Sequence, residues 1–226
     1  MTASKYSSTN TEPDSAGDPW QASGMKERNA RFEKPVRAFL TRLVETPQAH
    51  ARFLNMLAML EHMGSRKIML SQMDKIHTED SLKHLAEEAR HAYFFKRHAE
   101  RVAGHALQGW TDDNTTARGP ALMYFGRMDA GISKVVGENS AYPWVSLIIE
   151  LRACWLYAIY QDVLAHSTLH LSLKSLLAEE DMHLADMFAL CGDNTDRLHT
   201  LSAYETGLFE TLWHALENTV SFKQAA

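Results

Sequence analysis

Cysteine is scarce in this chain: Cys154 and Cys191 are the only two among 226 residues. They form no Cys-x-x-Cys pair, which excludes a thioredoxin-type redox motif and a zinc ribbon. So few thiols fit a reducing compartment. A basic surplus is lacking too. With a formal net charge of −5, the chain has little to offer a phosphate backbone, so nucleic acid is not an expected partner. No uncharged apolar run reaches the roughly 20 residues that cross a bilayer. No apolar signal core follows Met1-Thr2-Ala3-Ser4-Lys5-Tyr6. The expectation is a soluble, cytoplasmic protein without a membrane partner. The β-branched alternation that marks strands is also missing, which leaves an all-α reading.

The chain does have enough apolar residues, 45% of the total, to fill a core. Residues 1–24 are rich in Ser, Thr, Asn, Asp, Gly and Pro and read as a disordered tail, with Trp20 the one side chain suited to docking. Residues 25–226 read as one helical domain. Apolar periodicity predicts helices over about 32–44, 47–73, 80–104, 120–136, 143–165, 172–191 and 195–220. Pro35 and Pro143 are placed near helix starts, where a missing N–H is tolerated.

Two near-copies of one frame stand out: Leu85-Ala86-Glu87-Glu88-Ala89-Arg90-His91 and Leu177-Ala178-Glu179-Glu180-Asp181-Met182-His183. Each holds a Glu and a His three residues apart, which share one face of an α-helix and can grip one ion together. Roughly one Glu-x-x-His is expected by chance in such a composition, so the weight falls on the shared frame. Each copy also follows an apolar helix with one inward carboxylate, Glu61 in the first case and Glu150 in the second. Glu61 and Glu88 are 27 residues apart, and Glu150 and Glu180 are 30 apart. About 13 residues up one helix and as many down the next returns each pair to one level, roughly 20 Å along. The 59 residues from His91 to Glu150 suit one long crossover carrying its own helix. The expected metal ligands are therefore Glu61, Glu88, His91, Glu150, Glu180 and His183. Carboxylate oxygen and imidazole nitrogen suit iron and manganese. Four carboxylates and two divalent ions sum to neutrality, which a dry interior tolerates.

On these residues the chain resembles the ferritin-like di-iron carboxylate superfamily over roughly residues 47–190. The resemblance implies a ferritin-like four-helix bundle with one long crossover and additional flanking helices. It implies two iron ions, Fe/Fe or Mn/Fe, and chemistry on O₂ or peroxide. Arylamine N-oxygenases carry an extra His one turn before the last Glu-x-x-His, where this chain has Leu176. Rubrerythrins carry an extra Glu near the third-helix Glu, where this chain has Leu147 and Ala153.

Other residues are read as scaffold. Glu87 and Glu179, on the adjoining helix face, are expected to be solvated, or at most to support a ligand from behind. His84 is expected to be partly exposed, or to steady a ligand. Cys154 and Tyr157 are expected to pack, with a pocket or electron-transfer role the alternative for Tyr157. Gly64, Ala92 and Ala153 leave room beside the ions or close helix contacts. The function expected is a di-iron oxygenase or oxidase acting on O₂ and a small, largely apolar molecule, with an external electron donor. The rivals are a ferroxidase or peroxide-detoxifying protein, and a helical interaction protein without enzymatic activity. A homodimer through outer helix faces is the expected assembly.

Overall fold

The computed structural model describes residues 17–71, 78–192 and 194–220, all of it helices and their connections. In chain order the helices are α1 (Pro19–Ser23), α2 (Met25–Val44), α3 (Pro47–Ser71), α4 (Glu79–Ala103), α5 (Arg118–Val136), α6 (Glu138–Ala165), α7 (Lys174–Cys191) and α8 (Thr195–Thr219). No strand occurs among the described residues.

Local chemistry sets the ends of the elements that carry the site. Thr78 accepts from the Ser81 amide at 3.2 Å while Ser81 Oγ accepts from the Thr78 amide at 3.1 Å, a reciprocal cap that starts α4. Gly104, with φ of 75°, ends it by donating to Glu100 O at 2.9 Å. Asn194 accepts from the Arg197 amide at 3.1 Å and starts α8.

Helices α3 and α4 pack along each other as one hairpin, and α6 and α7 as a second. Contacts of α3 with α6 and of α4 with α7 close these four into a bundle. The crossover from α4 to α6 carries α5, and α2, α5 and α8 lie against the α6 side. Helix α6 is apolar nearly all round and buries Trp144, Leu147, Ile148, Leu151 and Tyr160, as a central helix must.

Two buried polar nodes hold this arrangement. Asn55 of α3 donates to Asn114 O at 2.9 Å and to Thr115 Oγ1 at 3.2 Å, and accepts from Lys96 at 3.1 Å. These bonds tie the crossover loop to the first hairpin. Arg152 of α6 donates to both oxygens of Glu205 on α8, at 2.8 Å each, and to Asn29 of α2 at 2.9 Å. Tyr124 of α5 completes the node by donating to Glu205 at 2.6 Å. Four helices therefore meet at one satisfied ion pair.

The sequence boundaries need three corrections. The tail expected over residues 1–24 does not extend that far: residues 19–23 are helical and Ser23 is fully buried, while residues 1–16 lie outside the described residues. Helix α2 begins at Met25 rather than about residue 32, and α6 at Glu138 rather than Pro143. Pro35 and Pro143 lie inside these helices. The lost backbone bond is tolerated in α2 because Met25, Asn29 and Phe32 continue the buried stripe of Val36, Phe39 and Leu43 across it. Met73, the expected end of α3, lies outside the described residues.

Candidate metal centre

All six expected ligands meet in the middle of the bundle, and all six are buried. Glu61 comes from α3, Glu88 and His91 from α4, Glu150 from α6, and Glu180 and His183 from α7. With His84 they form two overlapping groups. Glu61, Glu88, His91 and Glu180 offer one donor atom each within 4.8 Å of one another, and so do His84, Glu88, Glu150 and His183. Glu88 belongs to both. Glu180 spans them as well, with one oxygen 3.2 Å from His91 Nδ1 and the other 3.5 Å from His183 Nδ1. Two carboxylates are thus placed to bridge.

Several of the donor atoms are left without hydrogen-bond partners. Buried and unpaired are His91 Nδ1, His183 Nδ1, His84 Nε2, Glu88 Oε1 and both oxygens of Glu180. A protein avoids such a cluster unless something fills it, because each unpaired buried polar group costs about 1–3 kcal/mol and more if charged. Donors bound at about 2.1 Å to one ion stand about 3–4 Å apart. The separations here, from 3.2 Å for His91–Glu180 to 3.8 Å for His91–Glu88, fit that spacing. The residues present therefore fit a pair of divalent ions.

Each imidazole is oriented from the opposite hairpin. His91 Nε2 donates to Glu179 Oε2 at 2.8 Å, and His183 Nε2 donates to Glu87 Oε2 at 2.8 Å. Arg90 joins both, at 2.7 Å to Glu179 and 3.7 Å to Glu87. Glu87 and Glu179 are thus not the free solvated groups that their helix face suggested; they take the supporting place that was the alternative reading. They fix the tautomer that leaves both Nδ1 atoms facing the carboxylates. Sequence spacing does not show this pairing, because it runs between helices.

Electrostatics reports the same crowding. Burial pushes Glu61 and Glu150 well above the usual carboxylate range, and the carboxylates of Glu88 and Glu180 add to it. Burial opposes a charged His91, but Glu180, Glu61 and Glu88 outweigh it and push that imidazole up to about 10. Burial likewise opposes a charge on His183, and Glu180 and Glu87 raise it. Against the penalty of burial, the close approach of the His183 and His91 imidazoles holds Glu180 well below the usual range. Without metal, protons shared among these groups balance the buried negative charge.

Tyr157 donates to Glu61 Oε1, so its hydroxyl holds a ligand as well as packing against Phe95. Gly64 faces Glu88 so closely that a Cβ there would lie 3.0 Å from Oε2. Cys154 is buried, as expected, and burial beside Glu180 and Asp181 keeps its thiol protonated. His84, absent from the six expected ligands, lies with Glu88, Glu150 and His183 in a group that could hold an ion. Its clue was the spacing His84-x-x-x-Glu88-x-x-His91, which keeps all three on one helix face.

A cavity adjoins the carboxylates. Its volume is about 90 Å³. It touches Glu61, Glu88, Glu150 and Glu180 at one end and is otherwise walled mainly by apolar side chains of α2, α3, α5, α6 and α8, including Leu57, Met128, Ile149, Ala153 and Phe209.

No helix among the described residues is long and apolar enough to cross a membrane. No family model, curated protein or solved structure matches the chain.

Proposed function

We propose that this protein is a di-iron oxygenase or oxidase of the ferritin-like kind, using O₂ and an external electron donor on a small, largely apolar organic molecule. Glu61, Glu88, His91, Glu150, Glu180 and His183 hold two iron ions, or one manganese and one iron. Bound there, the ions supply the redox chemistry toward O₂ that no side chain of this chain provides.

The chain's own residues do the rest. Glu88 and Glu180 face both positions. Glu87 and Glu179 hold the imidazoles, and Tyr157 holds Glu61. Apolar walls exclude water from the end of the cavity where the carboxylates lie, and they orient a substrate by shape. The cavity is the observation that carries the reading. A ferroxidase needs a polar path for iron, whereas this cavity is lined mainly by aliphatic and aromatic groups, and the second space that touches Glu88 and Glu150, beside Lys67, His84, Tyr142 and Ser146, is only about 20 Å³.

Oxygen uptake by the iron-loaded protein, with medium-chain aliphatic compounds as probes, tests this. Ala153→Phe fills the cavity and should abolish substrate-dependent uptake while two irons per chain remain. Uptake driven by ferrous iron alone, and unchanged in Ala153→Phe, would favour the ferroxidase.

A further inference from the structure

We infer that the two metal positions are chemically unequal, with His84 a ligand of the second position and that position the one that takes iron first. The inference rests on the di-metal reading above and deepens it.

The first observation is a break in the repeat. The two copies agree through Leu85-Ala86-Glu87-Glu88 and Leu177-Ala178-Glu179-Glu180, and again at His91 and His183. One residue before the shared run they part: His84 stands against Leu176. A symmetric pair of hairpins would give two like positions. This substitution adds an imidazole to one side only.

The second observation is where that imidazole points. His84 is buried, and its Nε2 lies 3.5 Å from Glu150 Oε1 and 3.6 Å from Glu88 Oε1 without a hydrogen bond to either. Its ring is 4.2 Å from that of His183, centre to centre. The other nitrogen is engaged: Nδ1 and Tyr142 Oη are 2.8 Å apart. With Nδ1–H donating to the phenol oxygen, the Nε2 lone pair faces the carboxylates, as a ligand's must.

The donor sets then differ in kind. The first position has three carboxylates and one imidazole, from Glu61, Glu88, Glu180 and His91. The second has Glu88, Glu150 and the other oxygen of Glu180, with two imidazoles, His84 and His183, so the two positions differ by one imidazole. Imidazole favours iron over manganese more than carboxylate does, and iron binds nitrogen sites more tightly in the divalent series. The second position therefore loads iron first, and the first is the one that admits manganese.

Anaerobic calorimetric titration of the metal-free protein with ferrous iron tests this, beside His84→Leu, which makes the first copy match the second. Wild type should bind two irons in two unequal steps. His84→Leu should lose the tighter step by about 10–100-fold or more, with the weaker step kept and the melting temperature of the metal-free form close to wild type. Tyr142→Phe, which keeps His84 but frees Nδ1, should weaken the same step less. Identical titrations of wild type and His84→Leu would overturn the inference and leave the di-metal reading standing. Wild type binding no iron would overturn both.

Discussion

His91 of α4 reaches across to Glu179 of α7 and donates to it at 2.8 Å, and His183 of α7 returns the contact to Glu87 of α4 at the same length. Each hairpin thus sets the ring orientation of the other's ligand. Metal affinity should depend on residues that touch no metal. Glu87→Ala or Glu179→Ala should lower iron affinity about 10–100-fold, with Gln at either position losing less because its carbonyl still accepts. Titration with ferrous iron reads this directly. Unchanged affinity in both Ala variants would show that the pairs do not orient the rings.

Gly64 gives a prediction in which two effects oppose. Alanine in place of a helical glycine adds about 1 kcal/mol of helix propensity. Its methyl group, however, would sit 3.0 Å from Glu88 Oε2 and displace a carboxylate that faces both positions. Gly64→Ala should therefore leave the metal-free protein as stable or more so, and weaken metal binding. Thermal melting with and without iron separates the two.

Much of this centre could be read from the residues alone, and the reason is periodicity. The repeated Leu-Ala-Glu-Glu frame and the inward Glu61 and Glu150 encode register along a helix, which sequence spacing reports faithfully. All six side chains meet. What was missed depends on contacts between helices. Glu87 and Glu179 look solvated until α4 and α7 are set side by side, and His84 gains its meaning from Glu150 and Tyr142 on α6. The helix starts at Met25 and Glu138 were missed because Pro35 was read as lying near a start and Pro143 as a start, while packing carried both helices through them.

The Arg152–Glu205 pair should matter to stability and not to metal. Both groups are buried, and Tyr124 and Asn29 complete their bonding. Arg152→Met alone leaves a buried carboxylate unpaired and should cost about 3–5 kcal/mol, a melting drop on the order of 10 °C for a domain of this size. Adding Glu205→Leu to it should recover most of that loss. Iron stoichiometry should be two per chain in the double variant.

His50 supplies a pH dependence away from the centre. It is fully buried on α3, meets Tyr160 of α6 through Nε2, and lies near His98 of α4. Burial first, and the His98 charge second, lower it from 6.5 to about 4. The folded state holds this ring neutral while the unfolded chain takes a proton below about pH 6.5, so its contribution is complete above that pH and is lost as pH falls toward 4. At pH 5 the loss is about 2 kcal/mol. Denaturation of wild type and His50→Gln at pH 7.5 and pH 5, in the same metal state, should show the smaller pH effect in the variant. Equal effects would assign the acid sensitivity elsewhere.

The central claim is that Glu61, Glu88, His91, Glu150, Glu180 and His183 hold a pair of metal ions. The most direct test is metal content per chain after anaerobic loading with ferrous iron, followed by the optical spectrum on admitting O₂. The proposed function predicts two irons per chain and a new near-ultraviolet or visible absorption on oxidation, both absent from Glu88→Ala. No stoichiometric iron in the wild type would contradict it, and the buried carboxylates would then belong to a helical bundle without a metal.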